Sequence, residues 1–580
     1  MPKDMENQNQ LSVTIGQYSC AGRKPTNQDF HGALVPKGTE RTLKGVTLAI
    51  ADGISSSPVS HQAAETIVKA LMSDYYCTSD AWTVKTAASR VINATNSWLY
   101  AQNRRDRVSD MNRGLVCTLS SLILKGQTAH LFHVGDSRIW RISGESLEPL
   151  TEDHRIELSA SESYLGRSIG SGAQVEIDYQ QLSLSPGDVF LLTTDGVHEF
   201  WDPQSVLTAI RTTLSMDEAA ETIVQEALER GSEDNLTLQI VRIDNLPEMD
   251  NGEGLLSDPL SLPLPALPKA GDVIDGYRIL RAIASSSRSH IYLAVTEDDE
   301  RAVLKFPSVD LRESSDYLRR LVMEEWIARR IQSPHVLGPG KAPKERSVLY
   351  TVTEFVEGQT LRQWMTDNDK PTLEQVRGII EQTAQALRAF HRREMLHQDL
   401  RPENIMIDAD GTVKIIDFGS THVAGVQEIS PGNGADTDIL GTAQYTAPEY
   451  FLGYGGTTQS DLFSLGVIAY ELLTGKLPFG VKVSRIRNQK DLSRLTFSST
   501  LTSKEPLPDW IDFALSKAVH PDETKRYETL SEFCADLRKP SAGFKPRKGG
   551  PLIDKNPLLF WKVLSLFFAG TTLLALAFAS

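Results

Sequence analysis

Cysteine is scarce in this sequence. The 580-residue chain has four, at Cys20, Cys77, Cys117 and Cys534. They stand far apart, with no CxxC pair and no other metal-ligand spacing. A disulfide framework is thereby excluded, and a reducing compartment is expected. Surplus positive charge is missing too. The net charge is -15, so nothing argues for nucleic acid as a partner. The opening MPKDMENQNQ lacks the apolar run of a signal peptide. No tandem repeat appears.

Long apolar runs are equally few. One stands out, LLFWKVLSLFFAGTTLLALAFA, from Leu558 to Ala579, with Lys562 as its single charge. At about 1.5 Å per residue a helix of this length reaches across a hydrocarbon core of roughly 30 Å. Lys562 lies near one end, where a lysine snorkels to the interface. Arg538, Lys539, Lys545, Arg547, Lys548 and Lys555 precede the run and favour the cytoplasm for that side. The expectation is a transmembrane helix acting as a C-terminal tail anchor in the cell inner membrane. The remainder of the chain would lie in the cytoplasm.

What is present divides in two. Asn245 to Gly271 carries Pro247, Pro259, Pro263, Pro265 and Pro268. Proline removes backbone donors and favours extended chain, so this stretch reads as a linker. Before it, VTLAIAD, LSSLILKG, VFLLTTDG and LTLQIVRI read as strands, with helical patterns such as QAAETIVKALMSDYY between them. After it, strands come first (YRILRAI, IYLAV, AVLKF) and helices follow. The predicted division is 11–244, a linker at 245–271, 272–538, a basic juxtamembrane segment at 539–557 and the span at 558–579.

In the second half, RAVLKF ends a strand on Lys305, and MEEWIARRIQSP places Glu324 on a helix. TEFVEG follows as a hinge, with Glu354 and Val356. HQDLRPENIMI supplies Asp399 and Asn404, and KIIDFGS supplies Asp417 ahead of Phe418 and Gly419. GTAQYTAPE supplies Thr442 and Glu449, and SDLFSLG and KRY supply Asp461 and Arg526. In order and spacing these parts resemble the protein kinase family, of the serine/threonine kind, across about Gly271 to Leu537. The resemblance implies a bilobal kinase fold that uses ATP and Mg2+ on protein substrates. It implies that Lys305 orients the phosphates with Glu324 as its partner. It further implies that Asp399 orients and deprotonates the substrate hydroxyl, and that Asn404 and Asp417 hold magnesium. ATP would lie under Ala284, Ser286 and Ser289 and against Glu354 and Val356. Here another absence counts. RAIASSSRSHIYLAV, Arg281 to Val295, contains no glycine where the family has a glycine-rich loop. Backbone N–H groups cradle phosphate, and alanine and serine keep theirs. Access to φ > 0 and the closest approach are lost, so weaker ATP binding is expected. Gln398 replaces an arginine that often reads an activation-loop phosphate, and Arg401 replaces the usual lysine with a different geometry.

In the first half, aspartates fall at the ends of apolar strands. LAIADG gives Asp52 and Gly53, FHVGDSRIW gives Asp136, and LLTTDGVHEF gives Asp195 and Glu199. EDNLTLQIV gives Asp234, and KPTNQDF gives Gln28 and Asp29. A single Asp-Gly after a strand is usually a turn. Four aspartates at four strand ends point to a shared acidic centre. Converging carboxylates repel unless cations lie between them, and hard oxygen donors favour magnesium or manganese. The order resembles the PPM-type, metal-dependent serine/threonine protein phosphatases, across about Val13 to Ile243. The resemblance implies an α/β-β/α sandwich, making the whole a multidomain α+β chain. It implies that Asp52 bridges two metal ions, Mn2+ or Mg2+, that Asp195 and Asp234 bind one, and that the Gly53 carbonyl binds the other. Asp29 would hold water on the metals, and Lys24 or Arg23 the phosphate. Asp136 and Glu199, with Asp195, would bind a third, weaker metal. Gln28 replaces a glutamate ligand and keeps only an uncharged oxygen. Lys24 replaces an arginine and loses its bidentate fork.

The combination resembles bacterial bifunctional kinase/phosphatase proteins and implies opposed activities on protein serine and threonine. The alternative is a signalling scaffold in which one domain only binds or regulates.

Overall fold

Strand alternation builds the first unit. Strand β3, Val46–Asp52, turns Leu48 and Ile50 to one side and Ala49 and Ala51 to the other, as the pleat dictates. It lies in an antiparallel sheet of order β10-β5-β4-β3-β2. The partners are Asp29–Leu34 (β2), Leu119–Lys125 (β4), Thr128–Val134 (β5) and Asp178–Ser183 (β10). A second sheet has the order β1-β12-β11-β6-β7. It contains Ser12–Cys20 (β1), Arg138–Ser143 (β6), Ser146–Pro149 (β7), Val189–Thr193 (β11) and Leu236–Asn245 (β12). Between the sheets, Leu48, Ile50, Leu122 and Leu124 meet Phe190, Leu192, Val241 and Ile243. Helices Ser60–Ser73 and Val84–Arg105 cover one outer face, and Pro203–Thr212 and Met216–Glu229 the other. This is the four-layer sandwich expected from the sequence. A separate hairpin joins Arg155–Ser159 (β8) to Glu162–Leu165 (β9).

The structure is a computed structural model. It describes residues 10–106, 113–159, 162–247, 262–285, 289–311, 314–341, 343, 345–428, 444–502, 506–541, 543–544 and 557–579.

The second unit has two lobes. The upper is an antiparallel sheet in sequential order: Val273–Ile274 (β13), Tyr277–Ser285 (β14), Ser289–Val295 (β15), Arg301–Pro307 (β16) and Thr351–Glu354 (β17). Helix Ser315–Ala328 packs beside β17. The lower lobe is mostly helical. Leu373–His391 begins with a Thr372–Gln375 capping box, which satisfies donors that a helix start leaves free. Its apolar face meets the helix Thr458–Thr474 in one large core.

Part of the predicted linker is not a free spacer. Leu262, Leu264 and Leu267 pack on the upper lobe, and Leu349 N donates to Pro263 O at 3.0 Å. The prolines fit there because an extended arm needs few donors of its own.

The two units also touch. Trp82 Nε1 donates to Arg392 O at 2.9 Å, and Thr83 N to Glu394 at 2.7 Å. Val84 N donates to both Glu428 oxygens, at 3.1 and 3.0 Å. Lys125 Nζ reaches Gly425 O at 2.7 Å and Glu428 Oε2 at 3.1 Å.

The predicted tail folds as a helix, Pro557–Ala579. Among the described residues no helix is long and apolar enough to cross a membrane, so the predicted span is not confirmed.

Two candidate active sites

The first site lies where β3 ends. Hairpin pairing sets Asp29 opposite Asp52, and strands β11 and β12 bring Asp195 and Asp234 to the same end of the sandwich. Burial raises the Asp52 carboxyl well above the ordinary carboxylate range, and Asp29, Asp195, Asp136 and Asp234 add repulsion. Burial also lifts Asp29 to about 6. Asp195 rises to about 7 through burial and the negative charge of Asp136 and Asp234. The sequence-predicted carboxylates are therefore brought together.

Their surroundings hold them in place. Asp29 Oδ2 accepts hydrogen bonds from Thr237 Oγ1 at 2.7 Å and Thr194 Oγ1 at 3.0 Å. Gly53 N donates to Gln28 O at 3.2 Å. The Gln28 amide nitrogen is committed to Ser57 O at 2.6 Å and Ser60 Oγ at 2.9 Å. Lys24 Nζ contacts Asp234 and donates to Ser55 Oγ, which sets a cation at the rim. Asp29 Oδ1 and Asp195 Oδ1 are buried without a hydrogen-bond partner. Among the described residues no three His, Cys, Asp or Glu side chains are already gathered into a metal-holding group. The donor chemistry nevertheless fits hard divalent cations. It is all oxygen, strongly negative, and includes buried acceptors left unsatisfied.

Sequence reasoning missed Arg155, which contacts Asp136, Asp195 and Glu199. The only signal was a basic residue after Glu152-Asp153-His154.

The second site lies between the lobes. Lys305 Nζ donates to the Glu324 oxygens at 2.6 and 2.8 Å. Burial opposes its charge, but Glu324 and Asp417 outweigh burial and hold the ammonium protonated. Burial likewise opposes the Asp417 charge, yet Lys305 keeps that carboxyl below its ordinary value. Asn404 Nδ2 donates to Asp399 O at 2.8 Å and Asp399 Oδ2 at 3.3 Å. Arg401 Nε lies 3.8 Å from Asp399 Oδ2.

The loop carrying Asp399 is pinned from below. Buried Asp461 accepts hydrogen bonds from His397 N and Gln398 N, both at 3.0 Å, and from His391 Nε2 at 2.8 Å. Gln398 has φ 65°, a conformation that side chains other than glycine's rarely adopt. Asp461 thus holds the strained turn that aims Asp399. Glu449 and Arg526 form a buried bidentate pair at 2.7 Å.

The glycine-less segment still makes a hairpin. Ala284 pairs with Ile291, and Ser285 Oγ lies 2.7 Å from His290 Nδ1. Ser289 is buried, and Ser286 lies outside the described residues. Glu354 is fixed by Gly338 N and Lys414 Nζ, each at 2.7 Å. Val356 packs against the lower-lobe core. Thr442 also lies outside the described residues.

Comparison with known families agrees with both geometries. Residues 17–231 match the protein phosphatase 2C model, and residues 277–537 match the protein kinase domain model. The chain joins a phosphatase 2C domain to a protein kinase domain. Over 265 residues it is 30% identical to the serine/threonine-protein kinase PrkC of Bacillus subtilis (strain 168), covering 45% of this chain and 40% of that one. The chain thus spans under half the length of that relative. Among solved structures, it resembles PppA of Pseudomonas aeruginosa at 24% identity and a TM-score of 0.35, over 40% of this chain and 99% of that one. It also resembles the catalytic domain of the phosphatase PstP in complex with 2 manganese ions, at 21% identity and a TM-score of 0.35, over 40% of this chain and 100% of that one. In the kinase domain, Lys305 meets Glu324 and the charge of Asp417, and Asn404 is bonded to Asp399. In the phosphatase domain, the acidic centre lies at the end of β3 away from Lys125, because β3 and β4 run antiparallel.

Proposed function

We propose that the chain carries two opposed activities on protein serine and threonine. The kinase domain transfers a phosphoryl group from ATP, and the phosphatase domain hydrolyses phosphoserine and phosphothreonine. The observation that carries the reading is that one chain pairs Lys305 with Glu324 and Asn404 with Asp399, and also sets Asp29, Asp52, Asp195 and Asp234 at one end of the sandwich.

In the kinase, Lys305 puts positive charge beside the ATP phosphates, and Asn404 and Asp417 would hold magnesium. Asp399 meets the substrate hydroxyl and takes its proton. Positioned charge around a crowded anion is most of what this chemistry requires. In the phosphatase, Asp52, Asp195, Asp234 and the Gly53 carbonyl would hold manganese or magnesium ions. Such ions supply positive charge for the phosphoryl oxygens and a water acidic enough to attack. Asp29, fixed by two threonines, orients water at that centre, and Lys24 binds the phosphate at the rim.

The full chain, incubated with labelled ATP, is expected to shed its label when manganese is added and to keep it in excess chelator. Asp52→Ala protein is expected to keep its label with manganese present. Shedding at full rate in excess chelator would overturn the metal reading. Failure of the Asp52→Ala protein to take up label would overturn the kinase half.

The reading includes anchoring to the inner membrane, with both domains on the cytoplasmic side. It is supported by Leu558, Trp561, Leu566 and Phe567, which stand exposed along the helix Pro557–Ala579. An apolar surface of this kind marks a membrane or partner contact. A chain truncated before Leu558 is expected to stay in the soluble fraction with both activities. Pelleting of that truncated chain with membranes would remove the anchor.

A further inference from the structure

We propose that Arg155 is the resident cation of the outer acidic triad, Asp136, Asp195 and Glu199, in the place a third divalent metal ion would take. The inference rests on the metal-phosphatase reading above and deepens it. The guanidinium faces all three carboxylates at once. Nε donates to Asp136 Oδ2 at 2.8 Å, Nη2 to Asp195 Oδ2 at 2.8 Å, and Nη1 to Glu199 Oε1 at 2.9 Å. A planar fork with five donors suits three separate acceptors as a lysine does not.

The backbone explains why this side chain arrives there. His154 N donates to Gly135 O at 2.7 Å, and Gly135 N donates to His154 Nδ1 at 3.1 Å. Gly135 has φ 113°, and a Cβ on it would fall 2.6 Å from the Thr118 side chain. The position takes only glycine, so the chain can press close beside Asp136. On the other side, Gly166 N donates to His154 O at 2.6 Å. Strand β8 therefore starts at the wall of the site, and its first side chain enters the triad.

Two consequences follow from this placement. A metal ion cannot reach the three carboxylates without displacing a guanidinium already at hydrogen-bond distance from each. Asp195 is also divided: Oδ2 is held by Arg155, while Oδ1 is buried and unpartnered. Arg155 is thus a positioning residue. It commits one oxygen of Asp195 to the outer triad and leaves the other for the inner metal ions.

The test is a manganese titration of the nucleotide-free full chain, read by calorimetry and by the electron paramagnetic resonance of free manganese. The unaltered chain is expected to bind two equivalents. Arg155→Ser is expected to add a third, weaker equivalent, because the triad then lacks its cation. Arg155→Lys, which keeps one positive charge, is expected to add none, and Glu199→Gln is expected to stay at two. Three equivalents in the unaltered chain would overturn the proposal. So would the loss of an equivalent in Glu199→Gln, or no gain in an Arg155→Ser chain that keeps its circular dichroism spectrum. If Arg155→Ser does not fold, the unaltered chain and Glu199→Gln still decide. Absence of manganese binding in every form would instead overturn the metal-phosphatase reading itself.

Discussion

Asp399→Ala is expected to lower ATP-dependent labelling of a protein substrate by about 10²- to 10⁴-fold, the usual contribution of a positioned general base. The cause is local. On the proposed reading Asp399 would meet the substrate hydroxyl, and no neighbour could replace it. Asn404 is neutral, Arg401 is a cation, and Asp417 is engaged electrostatically with Lys305. The loss is expected in kcat with little change in the KM for ATP, because in that reading Asp399 would touch the hydroxyl and not the nucleotide. Lys305→Ala differs. It removes charge beside the phosphates and leaves Glu324 buried without its partner, so the KM for ATP rises as kcat falls. Labelling by Asp399→Ala at the unaltered rate would overturn the kinase assignment. A split between the two variants opposite to this one would overturn the roles given to them.

The chemistry was legible in the sequence because its residues sit at fixed points of regular elements. Asp52 ends a strand whose alternation is plain in VTLAIAD, and Lys305 stands in AVLKF. Strand period and chain order give each position, and the family resemblance implies its role. Arg155 was not legible. Nothing local tells a basic residue at a strand start that it will meet Asp136, Asp195 at the opening of the short helix after β11, and Glu199 just past that helix. The docking of the two domains was equally silent. Val84 and Glu428 are 344 positions apart, and neither lies in a repeating pattern. Lys125 looked like the charged end of an apolar strand, yet its side chain is almost wholly buried. Gln398 showed in the sequence only as a missing arginine. Its positive φ became visible with Asp461 beneath it, because strain of that kind depends on what holds it. The prolines after Asn245 did predict extended chain. What they could not predict is that Leu262, Leu264 and Leu267 would find apolar partners on the upper lobe, since that is a tertiary contact.

Glu428→Ala is expected to loosen the docking of the kinase domain on the phosphatase domain by about 10²- to 4 × 10³-fold. Glu428 follows the short helix Ala424–Gln427, eleven residues beyond Asp417. Its carboxylate accepts Val84 N at the start of the helix Val84–Arg105, where backbone N–H groups lack partners of their own. It also meets Lys125 Nζ at 3.1 Å, with only 1% of the lysine side chain exposed. Removing one member of such a buried pair costs about 3–5 kcal/mol, and about 1.4 kcal/mol is tenfold. Undocking lets Lys125 reach water, so the cost falls on the interface and not on the fold of either domain. Gly425 adds a steric reason for this fit: a Cβ there would lie 2.5 Å from Trp82 O. With a protease site engineered into the Pro-rich linker, the cleaved halves of the unaltered chain are expected to co-elute on gel filtration. The halves of Glu428→Ala are expected to separate at the same concentration. Replacing both partners by apolar residues, Lys125→Met with Glu428→Leu, is expected to restore part of the association, since no buried charge is then left alone. Co-elution of the Glu428→Ala halves as tight as that of the unaltered chain would show that this contact does not hold the domains together.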